Sequence, residues 1–78
     1  EPLIALNGGK DGLDLIKKVI YKSYVLLKTN GILAIEIGHQ QYKQVSDILK
    51  ECKFVEFSKE YDYKQNVRCI ISTKTGNS

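Results

Sequence analysis

The chain has 78 residues, of which 27% are charged and 42% hydrophobic, and it carries a formal net charge of +3. That length allows one domain, with a small core that buries only about 60% of the unfolded surface, and the balance is that of a globular chain rather than a disordered one. A charge this small, spread along the whole length, does not by itself argue for a nucleic-acid partner, and no apolar run of about 18 residues points to the membrane.

The chain begins at Glu1-Pro2 and contains no methionine, so it reads as a portion of something longer. Leu3-Ile4-Ala5-Leu6 is a short apolar stretch, extended at most. Asn7 to Gly12 contains three glycines and reads as a loop. A helix is expected to open near Asp11, a good N-cap, with Asp14 in its first turn favouring the helix dipole. Leu13, Ile16, Val19, Ile20, Val25 and Leu27 form its expected apolar stripe, bordered by Tyr24. Lys10, Lys17, Lys18, Lys22 and Lys28 gather along the same segment and read as a solvated outer face. The helix should stop near Lys28, with Asn30-Gly31 supplying a left-handed C-terminal cap.

Gly31 to Gln41 is almost continuously apolar and is expected to be a strand buried on both faces, as in a parallel sheet covered by helices. Ligands collect beyond the carboxyl ends of such strands. That places Glu36, Gly38 and His39 where chemistry is expected. Glu36, the run's one carboxylate, should be paired or sit at the open strand end, because burial alone penalises its charge. His39 has no second ligand at metal-binding spacing and reads as a rim histidine.

A second helix is expected from Gln41 to Cys52, with Tyr42, Val45, Ile48, Leu49 and Cys52 inward and Lys43, Asp47, Lys50 and Glu51 outward. A turn at Lys53 leads to a strand over Phe54 to Ser58. Asp62 to Asn66 is turn-like, and Val67 to Thr73 is a last strand with Val67, Cys69 and Ile71 on one face. Residues 74–78 read as a frayed tail. The last two strands are joined by too few residues to be anything but antiparallel, while the helix before them suits a crossover between strands running the same way. Cys52 and Cys69 lie far apart in apolar patterns and are expected to be buried thiols.

Gly8-Gly9-Lys10-Asp11-Gly12 does not fit a Walker loop or a dinucleotide loop, and the two aspartates at the helix start, Asp11 and Asp14, would compete with an anion for the same amides. It reads as a shaped loop, with contact to a neutral substrate as the functional alternative. Tyr61, Tyr63 and Arg68 form at most a weak nucleic-acid surface.

Two stretches carry a family resemblance. Glu1-Pro-Leu-Ile-Ala-Leu-Asn-Gly-Gly-Lys-Asp-Gly-Leu13 resembles a Glu-Pro-x-x-Ala-Leu-x-Gly-Gly-x-Asp-Gly-Leu segment, and Gly31 to Gln41 resembles a Gly-x-Leu-x-x-Glu-x-Gly-x-x-Gln strand and turn, with Glu36, Gly38 and Gln41 in place. Asp62 to Arg68 is similar in outline to a closing Asp-x-x-x-x-x-Arg-Val hairpin. These are features of the HemK/PrmC class of protein glutamine methyltransferases. The resemblance implies an α/β chain that forms the C-terminal half of a Rossmann-like S-adenosylmethionine-dependent methyltransferase fold: helix, strand, helix and antiparallel terminal hairpin, all in one domain portion over residues 1–78.

It implies methyl transfer from S-adenosylmethionine to a glutamine amide, typically in the Gly-Gly-Gln motif of a peptide chain release factor, with a ribosomal protein as the alternative substrate. With neither a signal peptide nor a long apolar run in the sequence, a cytoplasmic setting is the default expectation. The family's Asn-Pro-Pro-Tyr loop and glycine-rich cofactor turn are not in this sequence, so no residue here is expected to be catalytic or to hold the cofactor tightly. Gly8, Gly9, Asp11, Glu36 and Gly38 are the expected substrate-lining residues. The fragment reading further expects the central strand to show an open sheet edge. A small non-enzymatic α/β binding module is the competing reading.

Overall fold

The computed structural model describes residues 2–9, 12–38 and 40–75. Six elements follow one another: β1 (Leu3–Asn7), α1 (Leu13–Leu26), β2 (Ile32–Glu36), α2 (Tyr42–Glu51), β3 (Phe54–Tyr61) and β4 (Val67–Lys74). The four strands form one sheet in the order β1-β2-β4-β3. β1 runs parallel to β2, and β4 lies antiparallel to both β2 and β3. β2 and β3 therefore point the same way, as the crossover helix between them requires.

The short stretch at residues 3–6 becomes a strand because β2 offers it a full parallel ladder, from Leu3 opposite Ile32 to Asn7 opposite Glu36. That pairing overturns the expected bare edge on the central strand. β1 covers that edge and becomes the edge strand itself.

Both helices pack on one face of the sheet. Ile16 and Ile20 of α1, Val45, Ile48 and Leu49 of α2, and Leu33, Ile35, Ile37 and Ile70 from the sheet side form the core, joined by Leu27 and Phe54. Burial of each such side chain contributes about 1.5–3 kcal/mol. The other face of β2 is only half-buried at Ile32 and Ala34, and its neighbours Leu3 and Ala5 on β1 are exposed. The expectation of burial on both faces is thus corrected: among the described residues no helix lies on that second face.

α1 begins one residue later than expected. Gly12 is its N-cap and offers no side-chain bond, and Asp11 lies outside the described residues. Its buried stripe is Ile16, Ile20 and Ser23, continued by Leu27 just past its end, while Leu13 and Val25 are exposed. Ser23 is tolerated inside because its hydroxyl donates to the Val19 carbonyl at 2.8 Å, a bond that satisfies it within the helix.

The helix already ends at Leu26, and the expected Asn30-Gly31 cap sits too far along to close it. Asn30 does adopt a left-handed φ of 68°, but in a separate turn in which the Gly31 amide donates to the Lys28 carbonyl at 2.8 Å. The end of α1 is closed instead by Lys74. Its ammonium donates to the Tyr24 and Leu27 carbonyls at 2.6 and 2.8 Å and lies 4.3 Å from the centre of the Tyr24 ring, a cation where the helix dipole favours one. Lys74 therefore belongs to β4 and not to a frayed tail. Thr75 also bonds Lys53, and residues 76–78 lie outside the described residues.

α2 is close to the expected helix, with Val45, Ile48 and Leu49 inward. Glu56 of β3 fastens it, accepting from the Tyr42 hydroxyl at 2.7 Å and the Ser46 hydroxyl at 3.1 Å. β3 is longer than expected and is irregular between Glu56 and Ser58 and between Glu60 and Tyr61, which bends this edge strand. On β4 the fully buried positions are Ile70 and Ser72, so Cys69 and Ile71 fall on the less covered face. Cys52 and Cys69 are free and only half-buried, which corrects the expectation of buried thiols. Burial pushes both thiols above their ordinary pKa, with nearby carboxylates adding to the effect. Lys17, Lys18, Lys22 and Lys28 are exposed, as a solvated outer face requires. No helix among the described residues is long and apolar enough to cross a membrane.

Candidate functional site

Because β1 and β2 run parallel, their carboxyl ends open at the same end of the sheet, where Asn7 stands opposite Glu36. The antiparallel hairpin of β3 and β4 brings the turn at residues 62–66 back to that end, and the Ile37 amide donates to the Arg68 carbonyl at 2.9 Å. A cleft of about 330 Å³ lies between these segments, lined by Asn7, Gly9, Glu36, Ile37, Gly38, Asp62, Asn66, Val67 and Arg68.

Two loops form its floor, and both are held by bonds from their own glycine amides. The Gly8 amide donates to the Glu36 carbonyl at 2.8 Å, which continues the β1–β2 ladder past its last residue. Gly9 donates to the Asn7 side-chain oxygen at 3.1 Å. Across from them, Gly38 donates to the Gln41 side-chain oxygen at 2.7 Å, and the Gln41 amide returns a bond to the Gly38 carbonyl at 3.2 Å. The loops meet at Gly38. A Cβ there would stand 2.8 Å from the Gly9 carbonyl oxygen, so only glycine allows this approach.

The third wall is the 62–66 turn. One oxygen of Asp62 accepts the amides of Lys64 and Asn66 at 2.8 and 2.9 Å, an aspartate closing a turn on its own following amides. The Asn66 amide, then that of Lys64, together with the positive charge of Arg68, hold the Asp62 carboxyl below its ordinary range. A carboxylate whose folded-state pKa is depressed contributes stability above its unfolded value, and that contribution is lost as pH falls through the lower folded-state value. Acidification below about pH 4 is therefore expected to loosen this turn. An NMR titration checks it: the Lys64 and Asn66 amides should shift together with a midpoint below the ordinary aspartate value, and Asp62→Asn should abolish that step.

The structure places the expected site residues as follows. Gly9, Glu36 and Gly38 line one cleft. Gly8 is buried beneath it against the Glu36 carbonyl and does not reach the cleft wall. Asp11 and His39 lie outside the described residues. Asn7, Asp62, Asn66 and Arg68 line the same cleft without having been expected there. The available signal was the hairpin: an antiparallel return over a short turn must bring residues 62–68 beside the end of the central strand. Among the described residues no group of three or more histidine, cysteine or acidic side chains gathers for a metal ion.

The glycine amides do not suit a phosphate or a cofactor carboxylate, because Gly8, Gly9 and Gly38 have all spent their N–H groups on protein acceptors. Among its lining residues are two acids, one arginine and two asparagines, around a backbone floor.

No family model matches the chain. It is 37% identical over 76 residues to the release factor glutamine methyltransferase of Clostridium acetobutylicum, a match covering 97% of this chain and 27% of that protein. It is 42% identical over 74 residues to the release factor glutamine methyltransferase of Fusobacterium nucleatum, covering 95% of this chain and 21% of that protein. The ribosomal protein uL3 glutamine methyltransferase of Francisella tularensis is 36% identical over 58 residues, which is 74% of this chain and 17% of that protein. The chain thus spans about a quarter or less of the length of these curated relatives. In structure it is similar to an S-adenosylmethionine-dependent methyltransferase from Methanosarcina mazei, with a TM-score of 0.63, 11% identity, and coverage of 97% of this chain and 60% of that one. At that identity the likeness establishes the α/β methyltransferase fold.

Proposed function

We propose, from its kinship with the protein glutamine methyltransferases, that this chain is the C-terminal portion of such an enzyme's catalytic domain. The observation that supports this most is a sequence likeness running through 97% of the chain at 37% identity. The intact protein transfers a methyl group from S-adenosylmethionine to a glutamine side-chain amide, and the substrate is the Gly-Gly-Gln segment of a peptide chain release factor. The ribosomal protein reading is kept by the Francisella relative. The setting is the cytoplasm, where translation factors act.

An amide nitrogen is a poor nucleophile because its lone pair is delocalised into the carbonyl, so the enzyme's main contribution is to hold it in line with the methyl group. S-adenosylmethionine supplies the electrophilic methyl group. The residues of this chain do not fit that cofactor: the glycine amides at the strand ends are already bonded within the protein. No step through the cofactor is therefore assigned to them. Their part is to form a wall on the acceptor side. The Gly9–Gly38 contact fixes the floor, and Asn7, Glu36, Asp62 and Arg68 offer donors and acceptors to an incoming peptide.

The expected result is twofold. Calorimetric titration of S-adenosylmethionine into this chain alone should show no saturable binding below about 1 mM, a threshold equivalent to about 4 kcal/mol. The intact protein that carries the chain should add one methyl group to the glutamine of a Gly-Gly-Gln peptide, read by mass spectrometry. Tight cofactor binding by the isolated chain contradicts the division of labour, and an unmodified peptide contradicts the activity.

A further inference from the structure

We infer that Arg68 is a substrate-binding residue that grips a main-chain carbonyl of the substrate peptide at the mouth of the cleft. This rests on the methyltransferase reading above and adds a contact to it.

Arg68 is the chain's one arginine; the sequence otherwise uses lysine for its positive charge. The two are not interchangeable, because the guanidinium is a planar fork that is weakly hydrated and presents paired donors to an oxygen acceptor. The one position with that fork lines the cleft at the strand ends. Its backbone is anchored, with its carbonyl accepting the Ile37 amide at 2.9 Å, so the side chain springs from a fixed point beside Ile37. The residue is exposed, and its charge acts on the Asp62 carboxylate without a hydrogen bond or close ion pair to a described residue. That is notable because two carboxylates line the same cleft. One oxygen of Asp62 is already taken by the Lys64 and Asn66 amides.

The charges of the described lining residues point to the ligand class. A free anion entering here would face Glu36 and Asp62, and a free cation would face Arg68. A neutral peptide group suits both sides, because its carbonyl accepts from the guanidinium while its N–H donates to a carboxylate. The Asn7 and Asn66 carboxamides extend the same complementarity.

The test uses the intact methyltransferase that carries this chain, in wild-type, Arg68→Lys and Arg68→Met forms. Fluorescence anisotropy measures the affinity of a labelled Gly-Gly-Gln peptide, while thermal melting and methyl transfer run in parallel. Losing a charge-assisted bond should weaken peptide affinity about tenfold or more in the methionine variant. The lysine variant should recover only part of the loss. The melting temperature and the KM for S-adenosylmethionine should stay unchanged. Peptide affinity that is equal in all three forms overturns the assignment, whether or not the methyl group is transferred. A loss that tracks a lowered melting temperature also overturns it, because Arg68 then serves the fold. Arg68-dependent peptide binding by a wild type that transfers no methyl group supports the contact and refutes the activity instead.

Discussion

Leu33→Ala is expected to remove about 2–5 kcal/mol of stability. Leu33 is fully buried in the middle of β2, on the face that meets both helices, and its neighbours in the core come from α1, α2 and β4. A chain of this length has a total stability of about 4–12 kcal/mol, so one truncation removes a large fraction of it. Relaxation around the cavity is limited, because β2 is pinned on both sides, by β1 and by β4. Ile32→Ala is the internal comparison: the same strand and a similar loss of volume, but on the half-buried face. Urea unfolding checks both, through midpoints at unchanged slope. The account of a one-sided core fails if Ile32→Ala costs as much as Leu33→Ala.

Gly38→Ala is expected to damage the site more than the fold. Gly38 does not have a positive φ, so the problem is purely one of space: the new methyl would stand 2.8 Å from the Gly9 carbonyl oxygen. Backbone cannot swing aside like a flexible side chain, so one of the two loops must move. Overpacking of this kind costs about 1–3 kcal/mol, and much of that should appear as displacement at the strand ends. The Gly38–Gln41 bond at 2.7 Å resists motion on one side, which directs the displacement toward Gly9. Amide chemical shifts at residues 7–9 and 37–41 should change, with the helices unaffected, and the intact enzyme should lose peptide affinity. Gly12→Ser is the control. A Cβ at Gly12 meets nothing within 4 Å, and serine at that N-cap supplies a bond the helix now lacks, so this variant should be neutral or slightly stabilising. Identical loop spectra in Gly38→Ala and wild type would refute the close contact.

Much of this architecture was legible in the residues. Both helices were visible as apolar periodicities, because that signal is local and needs no partner. The central strand and the closing hairpin were visible for the same reason. What escaped was decided by distant partners. Leu3 to Asn7 has too few residues to declare itself a strand and becomes one through the ladder that β2 offers. The adjacent Asn30-Gly31 offers a cap for α1, yet the carbonyls are met by Lys74, nearly fifty residues away. The apolar run of β2 suits burial on both faces, but it cannot tell which face is covered.

The candidate site divides along the same line. Glu36 and Gly38 were placed at a strand end by position alone. Arg68 and Asp62 join them only through the pairing of β4 with β2, and Arg68 looked like part of a thin surface for nucleic acid. The Gly38–Gly9 approach leaves no trace in periodicity, because a glycine chosen for lack of space looks like a glycine chosen for a turn.

The strand order carries a consequence for how the chain acquires its structure. β4 is the last strand in the sequence but lies inside the sheet, between β2 and β3. Until it is in place, β3 has no neighbour and the pair β1–β2 has one edge bare, so the two halves of the sheet cannot be joined. The closures that β4 makes are long-range, including the Asn30 amide to the Lys74 carbonyl and the Lys74 amide to the Gly31 carbonyl, both at 3.0 Å. Contacts so distant in sequence slow folding. During synthesis, at about 5–20 residues per second, the growing chain must hold its helices and an unfinished sheet until residue 74 has left the ribosome. The sheet can therefore be completed only once residue 74 has emerged, and a nascent chain held short of that point keeps its two halves apart.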